Sequence, residues 1–300
     1  MSRILSLSSV LGLLTFHPAE SFLQSPKKLI TPVLTRHHSE FSINNIDTMQ
    51  HSKINPKDAK GVIFDIDGTL ADSWKLGFDA TQVVLKNNNI ETITEELYHE
   101  CTRYCTPDRL ARHAGLVPED GEKFQSVGDQ LAKEFDDLYV GLVSTKTAGF
   151  YHGIEDLIIS LPRSTDDGTK GVKIAALTNA CVAYAHAVLK TNSPVLSKDS
   201  QTVQKDTNDI YKRFLSIHGA DTVSKPKPDP SGLLQCCSEI DLDPEQCVYI
   251  GDSPSDAVAA DKAGMVAIGV LWGSHPKESL QKAPFSYFCE TVEELKSLLI

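Results

Sequence analysis

Asp65 and Asp67 stand two positions apart at the end of an apolar run, GVIFDIDGTLADS, residues 61–73. Val62, Ile63 and Phe64 lead into the first acid, and Gly68 and Thr69 follow the second. A run without polar alternation reads as a central parallel strand covered by helices on both faces. Ligands of open α/β sheets bind beyond the carboxyl ends of such strands. A carboxylate there can attack phosphorus, and its neighbour can move a proton.

Other segments bring matching groups. GVKIAALTNA, residues 171–180, ends near Thr178 and Asn179. CVYIGDS, residues 247–253, ends in Gly251, Asp252 and Ser253, with Asp256 one turn into the next helix. SKPKPDP between them supplies Lys225. Clustered carboxylates repel unless a cation holds them, and an all-oxygen set favours Mg²⁺, which readily takes a phosphate oxygen. A threonine hydroxyl, backbone N–H groups and an ammonium can hold the remaining phosphoryl oxygens. The set describes a phosphoryl-transfer site.

The elements that must position these groups alternate. Strands are expected at 61–67, 171–180, 247–253 and 266–272, with helices between them and a closing helix at TVEELKSLL. This pattern predicts an α/β fold with a Rossmann-like, doubly wound parallel sheet. Residues 74–147 read as helices without a convincing strand, inserted after the first strand; Thr106 and Pro107 fit a helix cap and first turn. Two polar stretches, 162–171 and 191–210, read as surface insertions.

The quartet DIDGTLADS, LTNA, SKPKPDP and GDSPSDAVAADKAG resembles, in order and spacing, the haloacid dehalogenase superfamily of aspartate-nucleophile hydrolases. The likeness covers residues 60–300 and is similar to the phosphoglycolate-phosphatase and β-phosphoglucomutase-like branch, whose all-helical cap is inserted after the first motif. The resemblance implies a core of residues 58–73 and 148–300 and a cap of 74–147. It implies that Asp65 is the nucleophile and a metal ligand. Asp67 would be general acid, then general base, lending its backbone carbonyl to Mg²⁺; dehalogenases lack this second acid because no alkoxide leaves. Thr178 and the Asn179 backbone would bind the phosphoryl group, and Asp252 would be the second carboxylate ligand. The family's lysine directly before Pro-x-Pro selects Lys225, leaving Lys227 to solvent; Asp256 would orient Lys225 or a metal-bound water. Gly68 and Gly251 support the turns, while Asp72 and Ser73 fix the turn into the cap. Arg103, Arg109, Arg112 and His113 form a candidate set for a substrate carboxylate or second phosphate, or a solvated helix face. The expected activity is Mg²⁺-dependent hydrolysis of a small phosphorylated metabolite through an aspartyl-phosphate. The alternatives are a phosphomutase of the β-phosphoglucomutase type and a catalytically silent binding or scaffold protein.

The bulk composition narrows partners. Net charge is −11 over 300 residues, yet residues 1–57 carry six Lys/Arg against three acids. The acidic remainder argues against nucleic acid and anionic membranes as partners. No apolar run reaches the ~18–20 residues of a membrane span. A monomer or homodimer is expected. The seven cysteines form no CxxC pair and read as inert thiols in a reducing compartment. Residues 1–57 read as a targeting presequence or a disordered tail: Arg3, an apolar stretch over 4–16, small residues near Ala19, then a Ser/Thr/Lys/His-bearing segment. They resemble the bipartite presequence of algae with complex plastids, with Phe22 after the cleavage point, so a plastid address is expected; a mitochondrial or cytoplasmic location is the alternative.

Overall fold

Residues 61–64 form β1 (Gly61–Phe64), buried at every position. A computed structural model describes residues 53–163, 171–193 and 209–300. The presequence up to residue 52 and most of both polar insertions lie outside the described residues.

Five further strands complete the main sheet: β4 (Lys173–Leu177), β5 (Phe214–His218), β6 (Cys247–Gly251), β7 (Val266–Val270) and β8 (Tyr287–Cys289). Their order is β5-β4-β1-β6-β7-β8, and every pairing is parallel. Side chains alternate between the faces. Val62, Phe64, Ala176 and Ile250 enter one apolar cluster; Ile63, Ala175, Leu177 and Tyr249 enter the other. Tyr184 and Leu189 of α6 (Val182–Thr191) join the first cluster, as do Ile154 of α5 (Ile154–Ser160) and Leu295 of α10 (Val292–Leu299). Leu233 of α7 (Ser231–Glu239) and Ala260 of α8 (Pro254–Lys262) join the second. Helices on both faces make the sheet doubly wound, as the alternating sequence implies. A one-turn helix, α9 (Lys277–Leu280), precedes β8.

The strands at 214–218 and 287–289 escape the sequence reading. Both lie at sheet edges, where short strands suffice, and β5 alternates between buried and half-exposed or exposed positions instead of running apolar.

Between β1 and β4 the chain forms α1 (Trp74–Asn87), α2 (Glu95–Cys101), α3 (Thr106–His113) and α4 (Glu122–Gly141). Leu76, Ala80 and Val84 of α1 pack with Leu110 of α3 and with Leu131 and Phe135 of α4. Cys105, one residue before the expected Thr106, occupies the N-cap of α3. A two-stranded antiparallel ribbon marks the ends of this block: β2 (Ala71–Asp72) pairs with β3 (Gly149–Phe150). None of the described helices is long and apolar enough to cross a membrane.

Register now decides what meets where. Phe64 is level with Ala176 on β4 and Ile250 on β6. Asp65, Leu177–Thr178 and Gly251–Asp252 therefore emerge at one edge of three adjacent strands.

Candidate active site

Gly68 turns the chain away from β1 with φ +74°, a left-handed conformation open to glycine. A Cβ there would lie 2.2 Å from Asp252 Oδ2, so the turn can approach Asp252 only as glycine. Gly251 plays a similar part, since its Cβ would fall 2.3 Å from Asp256 Oδ2.

The structure corrects the lysine. Lys225 is exposed, whereas Lys227 is buried at 4% exposure and reaches the end of β1. Lys227 Nζ lies 2.9 Å from Asp65 Oδ1, 2.7 Å from Asp256 Oδ1, 2.8 Å from Tyr249 Oη and 3.2 Å from the Leu177 carbonyl. The physical reason is backbone placement. The Asn179 amide accepts from the Lys227 N–H and donates to the Lys227 carbonyl, both at 3.0 Å, which fixes this residue inward. Burial lowers the Lys227 pKa, but Asp256 and Asp65 outweigh it and hold the ammonium above its ordinary value.

Asp256 is fully buried and has both oxygens occupied: Oδ1 by Lys227 and Tyr249, Oδ2 by the Ser253 N–H at 3.0 Å. Its partner is thus Lys227, not Lys225. Asp65 is raised well above the usual carboxylate range by burial; Lys227 opposes this, while Asp256, Asp252 and Asp67 add to it.

Oxygens of Asp65, Asp252 and Asp256 lie within 4.8 Å of one another, a buried acidic triad able to hold a metal. Asp252 Oδ2 accepts the Ser274 N–H at 2.7 Å. Among the described residues Asp65 Oδ2 and Asp252 Oδ1 accept no hydrogen bond, which leaves one oxygen of each for a cation. Lys227 pairs with Asp65 and Asp256 only, which leaves Asp252 without an ammonium, and the all-oxygen donor set fits a hard divalent cation. Asp65 and Asp252 of the expected metal set stand in this triad; Asp67 is expected to offer its backbone carbonyl, which a triad of carboxylate oxygens does not test. The Asp67 side chain lies outside the triad.

Asp67 instead faces hydroxyls. Its Oδ1 accepts from Ser73 at 2.5 Å, Tyr184 at 2.6 Å and Tyr139 at 2.9 Å; its Oδ2 accepts from Thr178 at 3.2 Å. Ser73, read from sequence as a turn residue, makes no side-chain cap bond to α1 and serves Asp67. Thr178 is buried and its Oγ1 accepts the Ala180 N–H at 3.0 Å. Sequence reasoning did not find Tyr139, Tyr184 or Tyr249; each sits on a buried helix or strand face where an aromatic residue reads as packing.

Asp65, Asp67, Thr178, Lys227 and Asp252 line a small cavity, about 80 Å³, together with Tyr98, Thr106 and Arg109. Arg109 is the cation of the helical block that reaches it. It is 6% exposed, donates to Thr81 Oγ1 at 2.7 Å, and lies 4.6 Å and 5.3 Å from the Phe135 and Tyr98 ring centroids. No carboxylate of the described residues lies within 4.0 Å of it. Arg112 of α3 stacks over Tyr104 at 4.0 Å, and Arg103, in the turn between α2 and α3, lies 5.1 Å from the same ring. His113 is buried beside Tyr98.

Residues 59–264 match the haloacid dehalogenase-like hydrolase family model. The chain is 23% identical over 253 residues to phosphoglycolate phosphatase of Escherichia coli (strain K12), spanning 80% of this chain and 92% of that protein. It is 25% identical over 235 residues to phosphoglycolate phosphatase of Salmonella typhimurium, spanning 74% and 84%. Among solved structures, a hydrolase from Pseudomonas syringae superposes with TM-score 0.60 at 22% identity, covering 80% of this chain and 97% of that one. CbbY from Rhodobacter sphaeroides in complex with xylulose-(1,5)bisphosphate superposes with TM-score 0.61 at 20% identity, covering 79% and 96%.

Proposed function

Because the chain belongs to the haloacid dehalogenase-like hydrolases, we propose that it is a Mg²⁺-dependent phosphatase of small phosphorylated carboxylates, phosphoglycolate-like in size and charge. The observation that carries this reading is the buried Lys227–Asp65–Asp256 cluster at the end of β1, facing Thr178 and Asp67 across one cavity.

Asp65 attacks phosphorus and forms an aspartyl-phosphate. Asp67 protonates the leaving oxygen, then takes a proton from the water that cleaves the intermediate. Thr178, the Asn179 backbone and Lys227 hold the phosphoryl oxygens as charge develops. Asp65 and Asp252 would hold Mg²⁺, whose charge offsets both the phosphoryl group and the raised pKa of Asp65. The helices over the site act as a cap that excludes bulk water.

Two observations support a small carboxylate-bearing substrate. The cavity is well below the ~300–1,000 Å³ of drug-sized sites. Arg109, a buried guanidinium held by Thr81 and two aromatic rings, has no carboxylate partner among the described residues and would gain from an arriving anion. Relatives named phosphoglycolate phosphatase point the same way. The plastid address read in residues 1–57 belongs to the same proposal.

The test is phosphate release from a panel of small phosphomonoesters with Mg²⁺, including phosphoglycolate and β-glucose 1-phosphate. Phosphate from phosphoglycolate is expected. Conversion of β-glucose 1-phosphate to glucose 6-phosphate would establish a mutase instead. Absence of turnover with every ester would sink the enzymatic reading.

A further inference from the structure

The Asp67 carboxylate is held unequally. Three hydroxyls converge on Oδ1, while Oδ2 meets only Thr178. Two of the three are phenols from different helices. Tyr139 comes from α4 of the helical block, and Tyr184 comes from α6 against the sheet. Their rings stack with centroids 4.0 Å apart and planes 15° apart, and both side chains are buried.

We propose that Tyr139 and Tyr184 are positioning residues that occupy Asp67 Oδ1 and so assign proton transfer to Oδ2. The proposal rests on the phosphatase reading above. Both phenols are suited to donate. Their hydroxyls lie 2.9 Å and 2.6 Å from Oδ1, and an ionised carboxylate oxygen only accepts. With Oδ1 saturated by three donors, a proton on Asp67 resides on Oδ2. As the Asp65–phosphorus bond forms and the ester P–O bond breaks, this proton passes from Oδ2 to the leaving oxygen. Attacking water then returns a proton to Oδ2 while the Asp65–phosphorus bond breaks and inorganic phosphate is released. Because one phenol comes from each helix, the arrangement is complete only with α4 seated against α6.

Leaving-group dependence separates positioning from general structural support. kcat/KM reports the steps through leaving-group departure. An alkyl ester such as phosphoglycolate needs its leaving oxygen protonated, whereas p-nitrophenyl phosphate releases a stable phenolate. Tyr139→Phe and Tyr184→Phe keep the stacked rings and remove only the hydroxyls. The expected result is that the alkyl-to-aryl ratio of kcat/KM falls about tenfold or more in each variant, a fraction of the 10²–10⁴ that general acid catalysis supplies. Parallel losses with both esters, or an unchanged ratio, overturn the assignment for that residue. Thermal unfolding is followed alongside, and either variant alone carries the test if the other fails to fold. Failure of the wild-type protein to hydrolyse both esters overturns the phosphatase reading and this proposal with it. An unchanged ratio with an active wild type overturns this proposal alone.

Discussion

Lys227 Nζ lies 2.7 Å from Asp256 Oδ1 in a fully buried pair, and the same ammonium reaches Asp65 at 2.9 Å. Asp256 therefore sets where the positive charge stands relative to the nucleophile. Lys225, two residues earlier, faces solvent.

Lys227→Met is expected to lower kcat by on the order of 10²–10³, the scale of losing one preorganised charge at a transition state. It also strands two buried carboxylates, so urea unfolding should show a loss of about 3–5 kcal/mol. Lys225→Met should stay within about twofold of wild type in kcat, because an exposed cation contributes little. The opposite ranking would restore Lys225 to the site.

The pair of lysines shows where the sequence stops speaking. In SKPKPDP both Lys225 and Lys227 directly precede Pro-x-Pro, so spacing alone fits either. The deciding contact is the two-way hydrogen bond between the Asn179 amide and the Lys227 backbone, across 48 residues. Asp65, Asp67, Thr178, Asn179, Asp252 and Asp256 were legible because strand ends in a parallel sheet share one edge. Tyr139 and Tyr184 were not, because they reach Asp67 across 72 and 117 residues from helix faces with ordinary apolar spacing. The core strands were legible by their unbroken apolar character, and edge strands β5 and β8 were not.

The acidic triad separates into two roles. Asp252→Asn removes a carboxylate with an oxygen to spare and should raise the Mg²⁺ concentration for half-maximal activity by at least roughly tenfold. Asp256→Asn should lower kcat through Lys227 and leave the Mg²⁺ midpoint within about twofold, since it changes no proposed ligand. Chelation with EDTA should abolish turnover, and added Mg²⁺ should restore it. Metal titration of activity and calorimetric Mg²⁺ binding check both variants; equal midpoints would refute the division.

Arg109 should govern substrate choice. A charge-assisted hydrogen bond contributes about 1.5–3 kcal/mol, so Arg109→Leu is expected to cut kcat/KM for phosphoglycolate by about 10–100-fold. An ester without a second anion, such as ethyl phosphate, should lose far less. Equal losses with both substrates would remove Arg109 from the substrate's carboxylate.

His113 links the cap to pH. Burial, and then the Arg109 charge, push its pKa down to about 3. In the unfolded chain the ordinary value is ~6.5. Between these values the unfolded state binds the extra proton, so stability rises with pH through that window and is fully present above it. Lowering pH from 8 to 5 should cost wild type about 2 kcal/mol through this group. Urea unfolding at both pH values should show that increment missing from His113→Gln; an identical pH dependence would disprove the assignment.

Residues 1–57 fused to a fluorescent protein should enter the plastid in an alga with complex plastids, and Phe22→Ala should stop import short of it. Mitochondrial or cytoplasmic fluorescence from the unaltered fusion would refute the plastid address.

The ribbon of Ala71–Asp72 against Gly149–Phe150 brings the chain's exit from the sheet and its return side by side. Four helices thus hang from a doorway two residues wide on each strand. Any rotation about it carries Arg109 and Tyr139 as cargo on the same swinging body, one toward the substrate's far end and the other toward Asp67. On the proposed mechanism, substrate capture and alignment of the proton donor would be, mechanically, one stroke.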